Sequence, residues 1–143
     1  MTTMERVKFY MAGGMGGLSI EEQMEWRNDI EDKINRAAPY TPTYFFQPPY
    51  YYQPDGEYHK SEREAMCFDL NRLRHSDVMI VNFNIPSSLG TMYEIAVAHE
   101  NRIPIIGLNE NNADIHPWAF VSCIRLCKTR EELVKHICDF YLT

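Results

Sequence analysis

The sequence predicts an α/β protein in which helices cover both faces of a parallel sheet. Short apolar runs typical of buried strands alternate with amphipathic segments typical of helices along the chain. In addition, Ser/Thr-x-x-Glu motifs, which often start helices, begin at Ser19, Ser61 and Thr129, each ahead of an amphipathic segment. Both observations point to the same alternating architecture.

Length and charge narrow the class of protein. The chain has 143 residues, so we expect residues 1–143 to form a single domain. Its net charge of −6 disfavours a nucleic-acid polymer or an anionic membrane as main partner, since neither is attracted to a negative surface. No apolar run approaches the ~20 residues of a membrane span, and the first residues lack a signal peptide's apolar core, so we expect a cytoplasmic protein. The four cysteines lack zinc-site spacing, and we expect no metal or organic cofactor.

The first half of the chain contains two predicted strands and one predicted helix. Val7–Ala12 is the first strand, and it ends at Gly13–Gly17, where four glycines let the backbone approach a ligand closely. The motif at Ser19 opens a helix that continues to about Ile34 and stops before two prolines. Thr43–Phe46 is the second predicted strand.

A long aromatic loop follows the second strand. Residues 47–56 hold three prolines and a glycine, which excludes regular structure. Loops this long in compact domains are usually functional or disordered, and Tyr50, Tyr51 and Tyr52 argue against disorder. The tyrosines suit stacking on a planar ligand or packing on a partner subunit, and the sequence leaves both open.

The second half supplies three more strands. The next capping motif opens a helix that ends near Arg74, and Val78–Phe83 is the most strand-like run of the chain. Arg102–Leu108 and Ser122–Leu126 are the fourth and fifth predicted strands, and the last capping motif opens a C-terminal helix. We therefore expect a flavodoxin-like (Rossmann-like) three-layer fold with a five-stranded parallel sheet in the order 2-1-3-4-5.

The segment Pro86–Glu94 connects the central strand to a helical run, Ile95–Glu100. Ligands of such sheets bind outside the carboxyl ends of the strands, so this turn lies where a reactive group would be presented. Two interpretations of Glu94 follow. It is either a catalytic carboxylate or part of a capping box in which it bonds back to Thr91.

Several common kinds of ligand-binding or catalytic site are excluded because the sequence lacks their motifs. The Gly13–Gly17 loop is not G-x-G-x-x-G in register, and neither a Walker A motif nor a G-x-S-x-G elbow is present. Carboxylate chemistry remains at the predicted rim, with Glu94, Asp69 and, at the end of the first strand, Tyr10. Two carboxylates beside a sugar are the usual apparatus for cleaving a glycosidic bond.

Three blocks of the sequence resemble the nucleoside 2-deoxyribosyltransferases, whose superfamily also contains hydrolases of nucleoside 5′-monophosphates. The blocks are Phe9–Gly13, Phe68–Asp77 with its D-L-N motif, and Pro86–Ala96 with its G-T-x-x-E motif. They occur in the family's order and cover the chain from Tyr10 to about Pro104.

The resemblance implies roles for individual residues. Glu94 matches the family's nucleophile, which attacks C1′ of the sugar and forms a glycosyl ester. Asp69 matches the acidic residue that contacts the base and acts as general acid. Tyr10 matches the tyrosine that holds the nucleophile by a hydrogen bond. The other expected substrate contacts are Gly13, Gly14, Gly90, Asp77, Ser88 and His116.

Two departures from the family leave the 5′ group of the substrate open. Ser88 stands where transferases acting on nucleosides often have an acidic residue, and a neutral hydroxyl near helix amides tolerates a phosphate. However, the first glycine loop lacks the basic residue that the nucleotide hydrolases tend to carry. His116 occupies the place of a polar residue that reaches a neighbouring subunit's site, although a packed turn explains it equally well.

The resemblance thus implies an enzyme that transfers deoxyribose from a 2′-deoxynucleoside to another nucleobase through a covalent deoxyribosyl-Glu94 intermediate. One alternative is a hydrolase that uses water to release the base from a nucleoside 5′-monophosphate. A second alternative is a non-catalytic nucleotide-binding or sensing module on the same fold. The expected assembly is a homo-oligomer.

Overall fold

The computed structural model describes residues 5–52 and 58–143. Strands and helices alternate as follows: β1 (Val7–Gly13), α1 (Ile20–Ala37), β2 (Thr43–Phe46), α2 (Glu62–Arg74), β3 (Val78–Asn82), α3 (Leu89–Glu100), β4 (Ile105–Leu108), α4 (Pro117–Ser122), β5 (Arg125–Cys127) and α5 (Arg130–Tyr141). All strand pairs are parallel, and the sheet order is β2-β1-β3-β4-β5. The predicted fold class and strand order are therefore confirmed.

The side chains of β1 divide between two cores because successive residues of a strand point to opposite faces. Phe9 and Met11 pack in the core beneath α1 and α5. Tyr10 and Ala12 pack in the second core, beneath α2, α3 and α4. Each face of the sheet is therefore buried, as a parallel sheet requires.

The strand β1 is longer than its edge neighbour β2. The pairing of these two strands ends at Tyr10 with Phe46, whereas the pairing of β1 with β3 continues to Gly13 with Asn82. Three residues at the carboxyl end of β1 thus have a strand partner on one side only. Buried carbonyls on the unpaired side need another hydrogen-bond donor.

The region before β5 differs from the prediction. Residues 117–122 form the short helix α4, which starts at Pro117 and is capped by the His116 imidazole, whose Nδ1 accepts from Trp118 N at 3.1 Å. Proline suits the first helical position because its missing N–H has no helical partner there. The fifth strand is consequently Arg125–Cys127, shorter and later than the predicted Ser122–Leu126.

Arg130 joins α5 to α1 through a charged network. Its guanidinium Nη1 lies 2.6 Å from a Glu25 oxygen and 2.9 Å from an Asp29 oxygen, and its Nε lies 3.2 Å from Glu110. The side chain is only partly exposed, so these bonds are better shielded from water than those of an ordinary surface pair. Arg130 therefore anchors α1 from the side of α5.

Three further features concern the part of the chain that the structure describes. No helix within it is long and apolar enough to span a bilayer. No group of three or more His, Cys, Asp or Glu side chains within it is placed to hold a metal ion. All four cysteines are free thiols.

The central strand provides a test of the fold. Ile80 is fully buried in β3, so Ile80→Ala removes packed atoms and leaves a cavity, and we expect it to lower the free energy of unfolding by about 2–5 kcal/mol. Ile20→Ala is the matched control, because Ile20 is 46% exposed at the start of α1 and its change should stay below about 1 kcal/mol. Urea denaturation of both variants makes the comparison, and equal stabilities would contradict the assigned core.

Candidate active site

A cavity of about 350 Å³ opens at the carboxyl ends of β1 and β3, between α2 and α3. The polar and charged lining consists of Arg27, Glu62, Asp69, Tyr93 and Glu94, and the remaining lining residues are Ala12, Gly13, Met15, Pro48, Ala65, Met66, Leu70, Leu89 and Gly90. The helix that follows β1 lies on one face of the sheet and the helix that follows β3 lies on the other, so the two connections separate at this edge. Ligands of open α/β sheets bind at such a point.

A hydrogen bond between Tyr10 and Glu94 joins β1 to α3 below the cavity. The Tyr10 hydroxyl donates to Oε2 of Glu94, and the phenol ring is fully buried. Burial, followed by the negative charges of Glu94 and Asp69, raises the pKa of Tyr10 well above its usual value. The hydroxyl therefore stays protonated at neutral pH and remains a donor to the carboxylate.

Two carboxyl groups in the cavity have strongly raised pKa values. Burial raises the pKa of Asp69 to about 7. Burial also raises the pKa of Glu94 to about 7. The Tyr10 hydrogen bond and the positive charge of Arg27 lower this pKa, whereas the negative charge of Asp69 raises it. Each group can therefore hold or release a proton near neutral pH, as acid–base and nucleophilic catalysts do.

One face of α2 forms a wall of the cavity. Glu62, Ala65, Met66 and Asp69 all line it, at the three- and four-residue spacing that aligns side chains on a helix. The Tyr52 hydroxyl donates to Oε1 of Glu62 at 2.7 Å and holds that carboxylate at the start of the helix. Asp69 lies two turns further along the same face.

Arg27 brings a fully buried guanidinium to the cavity from α1. Its Nε donates to the Met11 carbonyl at 3.0 Å and its Nη2 to the Gly13 carbonyl at 3.2 Å. These carbonyls belong to the end of β1 that β2 does not pair, so Arg27 supplies the donors that this strand end lacks. The third bond runs from Nη1 to the Gln23 carbonyl at 2.6 Å.

The start of α3 differs from the capping-box interpretation. Ser88 is the N-cap, and its hydroxyl accepts from Thr91 N at 3.3 Å and from the Thr91 hydroxyl at 3.0 Å. Glu94 lies in the second turn of the helix and bonds Tyr10 instead of the Thr91 amide. The capping role considered for Glu94 is therefore wrong, and Ser88 has that role.

The expected substrate contacts after β1 and β3 divide into two groups. Gly13 and Gly90 line the cavity, whereas Gly14 and Ser88 lie in the adjoining turns. The Gly14 amide donates to Asn84 Oδ1 at 3.0 Å, and Asn84 Nδ2 donates back to the Gly14 carbonyl at 3.2 Å. This pair of bonds fixes the β1 turn against the β3 turn.

Two expected substrate contacts lie away from the cavity. Asp77 accepts from Lys8 N at 2.8 Å beside the amino ends of β1 and β3, the edge opposite the cavity, so the expectation of a contact there is corrected. His116 is exposed at the start of α4 and does not line the cavity. Its predicted contact with a neighbouring subunit stays a prediction.

A stack of aromatic rings connects Tyr10 to α2. Phe46 stacks on Tyr10 with 5.2 Å between ring centroids and on Tyr51 at the same distance, and Phe68 packs against both Phe46 and Tyr51. Tyr51 of the aromatic loop therefore packs within its own chain, on the helix that carries Asp69. Residues 53–57 of that loop lie outside the described residues.

Two charged cavity residues, Arg27 and Glu62, were missed by the sequence interpretation, and so was the polar Tyr93. The signal for Arg27 was a charged residue on the buried stripe of α1, three positions after Met24 and three before Ile30. Glu62 had no comparable signal, because acidic residues are common in the first turn of a helix.

Comparison with known proteins supports the fold. No protein-family model and no curated protein matches the sequence. Among solved structures, a conserved protein from Enterococcus faecalis has a TM-score of 0.78 at 15% identity, covering 94% of this chain and 99% of the other. A 2-deoxyribosyltransferase from Bacillus psychrosaccharolyticus has a TM-score of 0.68 at 14% identity, covering 89% and 90%. A CMP N-glycosidase from Clostridium botulinum has a TM-score of 0.57 at 17% identity, covering 94% and 99%.

The chain thus has an α/β fold with an acidic cavity at the switch point of its sheet. More specifically, it has the fold of the 2-deoxyribosyltransferase and the CMP N-glycosidase. The resemblance drawn from the three sequence blocks is thereby confirmed at the level of the fold.

The glycine loop provides a test of local packing. A Cβ atom at Gly14 would lie 2.5 Å from the Cβ of Ile85, so we expect Gly14→Ala to lower the free energy of unfolding by about 1–3 kcal/mol. The control is Gly16→Ala in the same loop, where a Cβ would meet no atom within 4 Å. Thermal unfolding compares the two variants, and equal loss in both would contradict the tight turn.

The buried Asp69 predicts a pH-dependent effect on stability. Its pKa is about 7 in the fold, above its usual value of 3.8, so the unfolded chain loses this proton first and the group destabilises the fold increasingly from about pH 4 to about pH 7. We expect Asp69→Asn to exceed the wild type in stability by on the order of 1–3 kcal/mol at about pH 8 and by much less at about pH 4. Denaturation at both pH values measures this, and a pH-independent difference would contradict the raised pKa.

Proposed function

We propose that the protein cleaves the N-glycosidic bond of a 2′-deoxynucleoside and transfers the sugar to a second nucleobase through a covalent deoxyribosyl-Glu94 ester. The observation that carries this proposal is the hydrogen bond from Tyr10 to Glu94 at a cavity shared with Asp69. Two proteins with the same fold, a 2-deoxyribosyltransferase and a CMP N-glycosidase, support cleavage of an N-glycosidic bond as the class of reaction.

In the first half-reaction, an oxygen of the Glu94 carboxylate attacks C1′ while the bond from C1′ to the base nitrogen breaks. Asp69, in its protonated form, gives its proton to the departing base, so the base leaves neutral. The transition state resembles an oxocarbenium ion, and the negative charge of Glu94 stabilises it. The products are a glycosyl ester on Glu94 and an ionised Asp69.

In the second half-reaction, a ring nitrogen of the acceptor base attacks C1′ and the ester bond breaks. Asp69 takes the proton that this nitrogen loses, and Glu94 returns to its carboxylate form. Tyr10 donates to Glu94 throughout, which orients the carboxylate. No oxidant, reductant or metal enters the balance of either step.

A second candidate is hydrolysis of a nucleoside 5′-monophosphate, in which water replaces the acceptor base. Leu89 and Gly90, the first residues of α3, line the cavity, and amides at a helix N-terminus favour a phosphate. However, the described charged residues of the cavity are three carboxylates and one guanidinium, which donates to three backbone carbonyls, and this set disfavours a dianionic ligand. We therefore rank the nucleoside first.

A binding or sensing module would use the same cavity without turnover. Under that interpretation the Glu94 carboxylate would need a structural role. Capping α3 is not that role, because the N-cap of this helix is Ser88. A half-buried carboxyl group with a raised pKa lowers stability, and such groups are typical of active sites. This favours the enzyme over the sensor.

We also propose that the protein forms a homo-oligomer through the surface around α4. Trp118, Val121 and Ile124 are large apolar residues that are each more than half exposed, beside the exposed His116. Clusters of this kind often mark protein contacts. Light scattering of the purified protein measures the subunit number, and a monomer at high concentration contradicts this proposal.

The assay for the main proposal follows base exchange by chromatography. Incubating a deoxynucleoside with a different free base should yield the exchanged nucleoside, and Glu94→Gln should lower the rate by on the order of 10³-fold or more, because it removes the attacking oxygen. Glu100→Gln, the same change on the exposed last residue of α3, should keep wild-type activity.

The other outcomes assign the alternatives. Base release from monophosphates without exchange would support the hydrolase. Binding without any turnover would support the sensor. Retained activity in a folded Glu94→Gln variant would overturn the assignment of the nucleophile.

A further inference from the structure

Arg27 is a fully buried arginine that has no ion pair among the described residues. Its guanidinium lies 4.6 Å from the centre of the Trp26 ring and donates to three backbone carbonyls. A buried charge without a carboxylate partner is costly, and a neutral donor such as glutamine could serve some of these carbonyls at lower cost. The positive charge therefore calls for an explanation beyond hydrogen bonding.

The location of Arg27 supplies that explanation. Its Nε and Nη2 donate to the carbonyls of Met11 and Gly13, which follow Tyr10 by one and three residues. The Tyr10 hydroxyl in turn donates to Glu94. Arg27 also lines the cavity together with Glu94. Because the guanidinium is held by the strand that carries Tyr10, its position relative to the Tyr10–Glu94 pair is fixed.

The proposed reaction, on which this inference rests, needs the two carboxyl groups in opposite forms. Glu94 must be ionised to attack, whereas Asp69 must be protonated to give its proton to the base. Both carboxyl groups are half-buried in one cavity, and this burial alone favours the protonated form of each. Something must therefore distinguish them.

We propose that Arg27 is a positioning residue that decides which carboxyl group carries the proton, holding Glu94 ionised and leaving the proton on Asp69. The groups facing Glu94 from the surrounding elements are Tyr10 on β1, Arg27 on α1 and Asp69 on α2. Tyr10 and Arg27 favour the Glu94 anion, and Asp69 opposes it.

The environment of Asp69 lacks these two stabilising influences. Burial is the cause of its raised pKa, and among the described residues neither the Arg27 charge nor a hydrogen-bond donor offsets it. For Glu94, both the Tyr10 hydrogen bond and the Arg27 charge lower the pKa against burial. Burial lowers the pKa of Arg27 to about 10, while Glu94 and Tyr10 oppose that change, so the guanidinium stays charged at neutral pH. Burial brings both pKa values to about 7, but the Tyr10 hydrogen bond from β1 and the Arg27 charge from α1 act on Glu94, and these two contacts are the proposed source of the asymmetry.

The first measurement uses the unaltered protein and requires no turnover. Carbon-13 NMR of the carboxyl groups, assigned by comparison with Glu94→Gln and Asp69→Asn, follows both protons during a pH titration. The proposal requires Glu94 to ionise at a lower pH than Asp69. The reverse order would overturn it, whether or not the protein is an enzyme.

The second measurement compares Arg27→Gln, which keeps donor groups without the charge, with Arg27→Lys, which keeps a charge. We expect the Glu94 titration and the acidic limb of kcat/KM to move up by about one pH unit in Arg27→Gln, with kcat lowered on the order of tenfold and KM little changed. In Arg27→Lys both the titration and the limb should stay closer to the wild type.

The control for α1 anchoring is Arg130→Met, which breaks another attachment of the same helix, formed by residues that do not line the cavity. It should lower stability without moving the Glu94 titration or the pH profile. If Arg27→Gln lowers stability and activity but leaves both pH readouts unchanged, Arg27 is only structural and the proposal is wrong. Absence of turnover in the wild type would refute the proposed function, while the NMR titration would still decide the charge assignment.

Discussion

The site depends on a difference in length between two neighbouring strands. β1 continues three residues past its last pairing with β2, while β3 follows it to Gly13. On the unpaired side, the carbonyls of Met11 and Gly13 need donors, and a buried arginine provides them. On the other side, the two strand ends stay together, so the turns after β1 and β3 meet through Gly14 and Asn84. The cavity lies beyond the last residue of β2, between α2 and α3 at the carboxyl ends of β1 and β3.

Burial both favours the proposed chemistry and lowers the stability of the fold. Removing Asp69 and Glu94 from water raises the pKa of each to about 7, which suits proton transfer and nucleophilic attack at neutral pH. The same burial disfavours the ionised forms, so neither carboxyl group is explained by stability. The rest of the fold compensates through two separate cores, one on each face of the sheet. Selection for a reaction accounts for this arrangement better than selection for packing.

The sequence predicted the sheet order and the grouping of Tyr10, Asp69 and Glu94 because each depends on local motifs and on the polarity of parallel strands. The short helix α4 was not predicted, because the sequence interpretation treated His116 and Pro117 as a packed turn. Asp77 was misplaced although it precedes β3, where strand polarity puts it at the amino edge. Arg27 could not be assigned, since its role follows from the unequal lengths of β1 and β2, which no local pattern encodes. The first turn of α3 shows the same limit, because the Thr91–Glu94 motif suggested a cap there, whereas the N-cap in the structure is Ser88.

Through the aromatic stack, Phe46 contacts residues that surround each of the two carboxyl groups, Glu94 and Asp69. One face of its ring supports Tyr10, the partner of Glu94, while its other neighbours, Tyr51 and Phe68, belong to the aromatic loop and to the helix of Asp69. A hydrocarbon side chain with no polar atom therefore connects the surroundings of Glu94 and of Asp69. In evolutionary terms, drift at this position would be restrained as strongly as at the two carboxyl groups, and related chains that exchange Phe46 should show compensating changes at its ring neighbours.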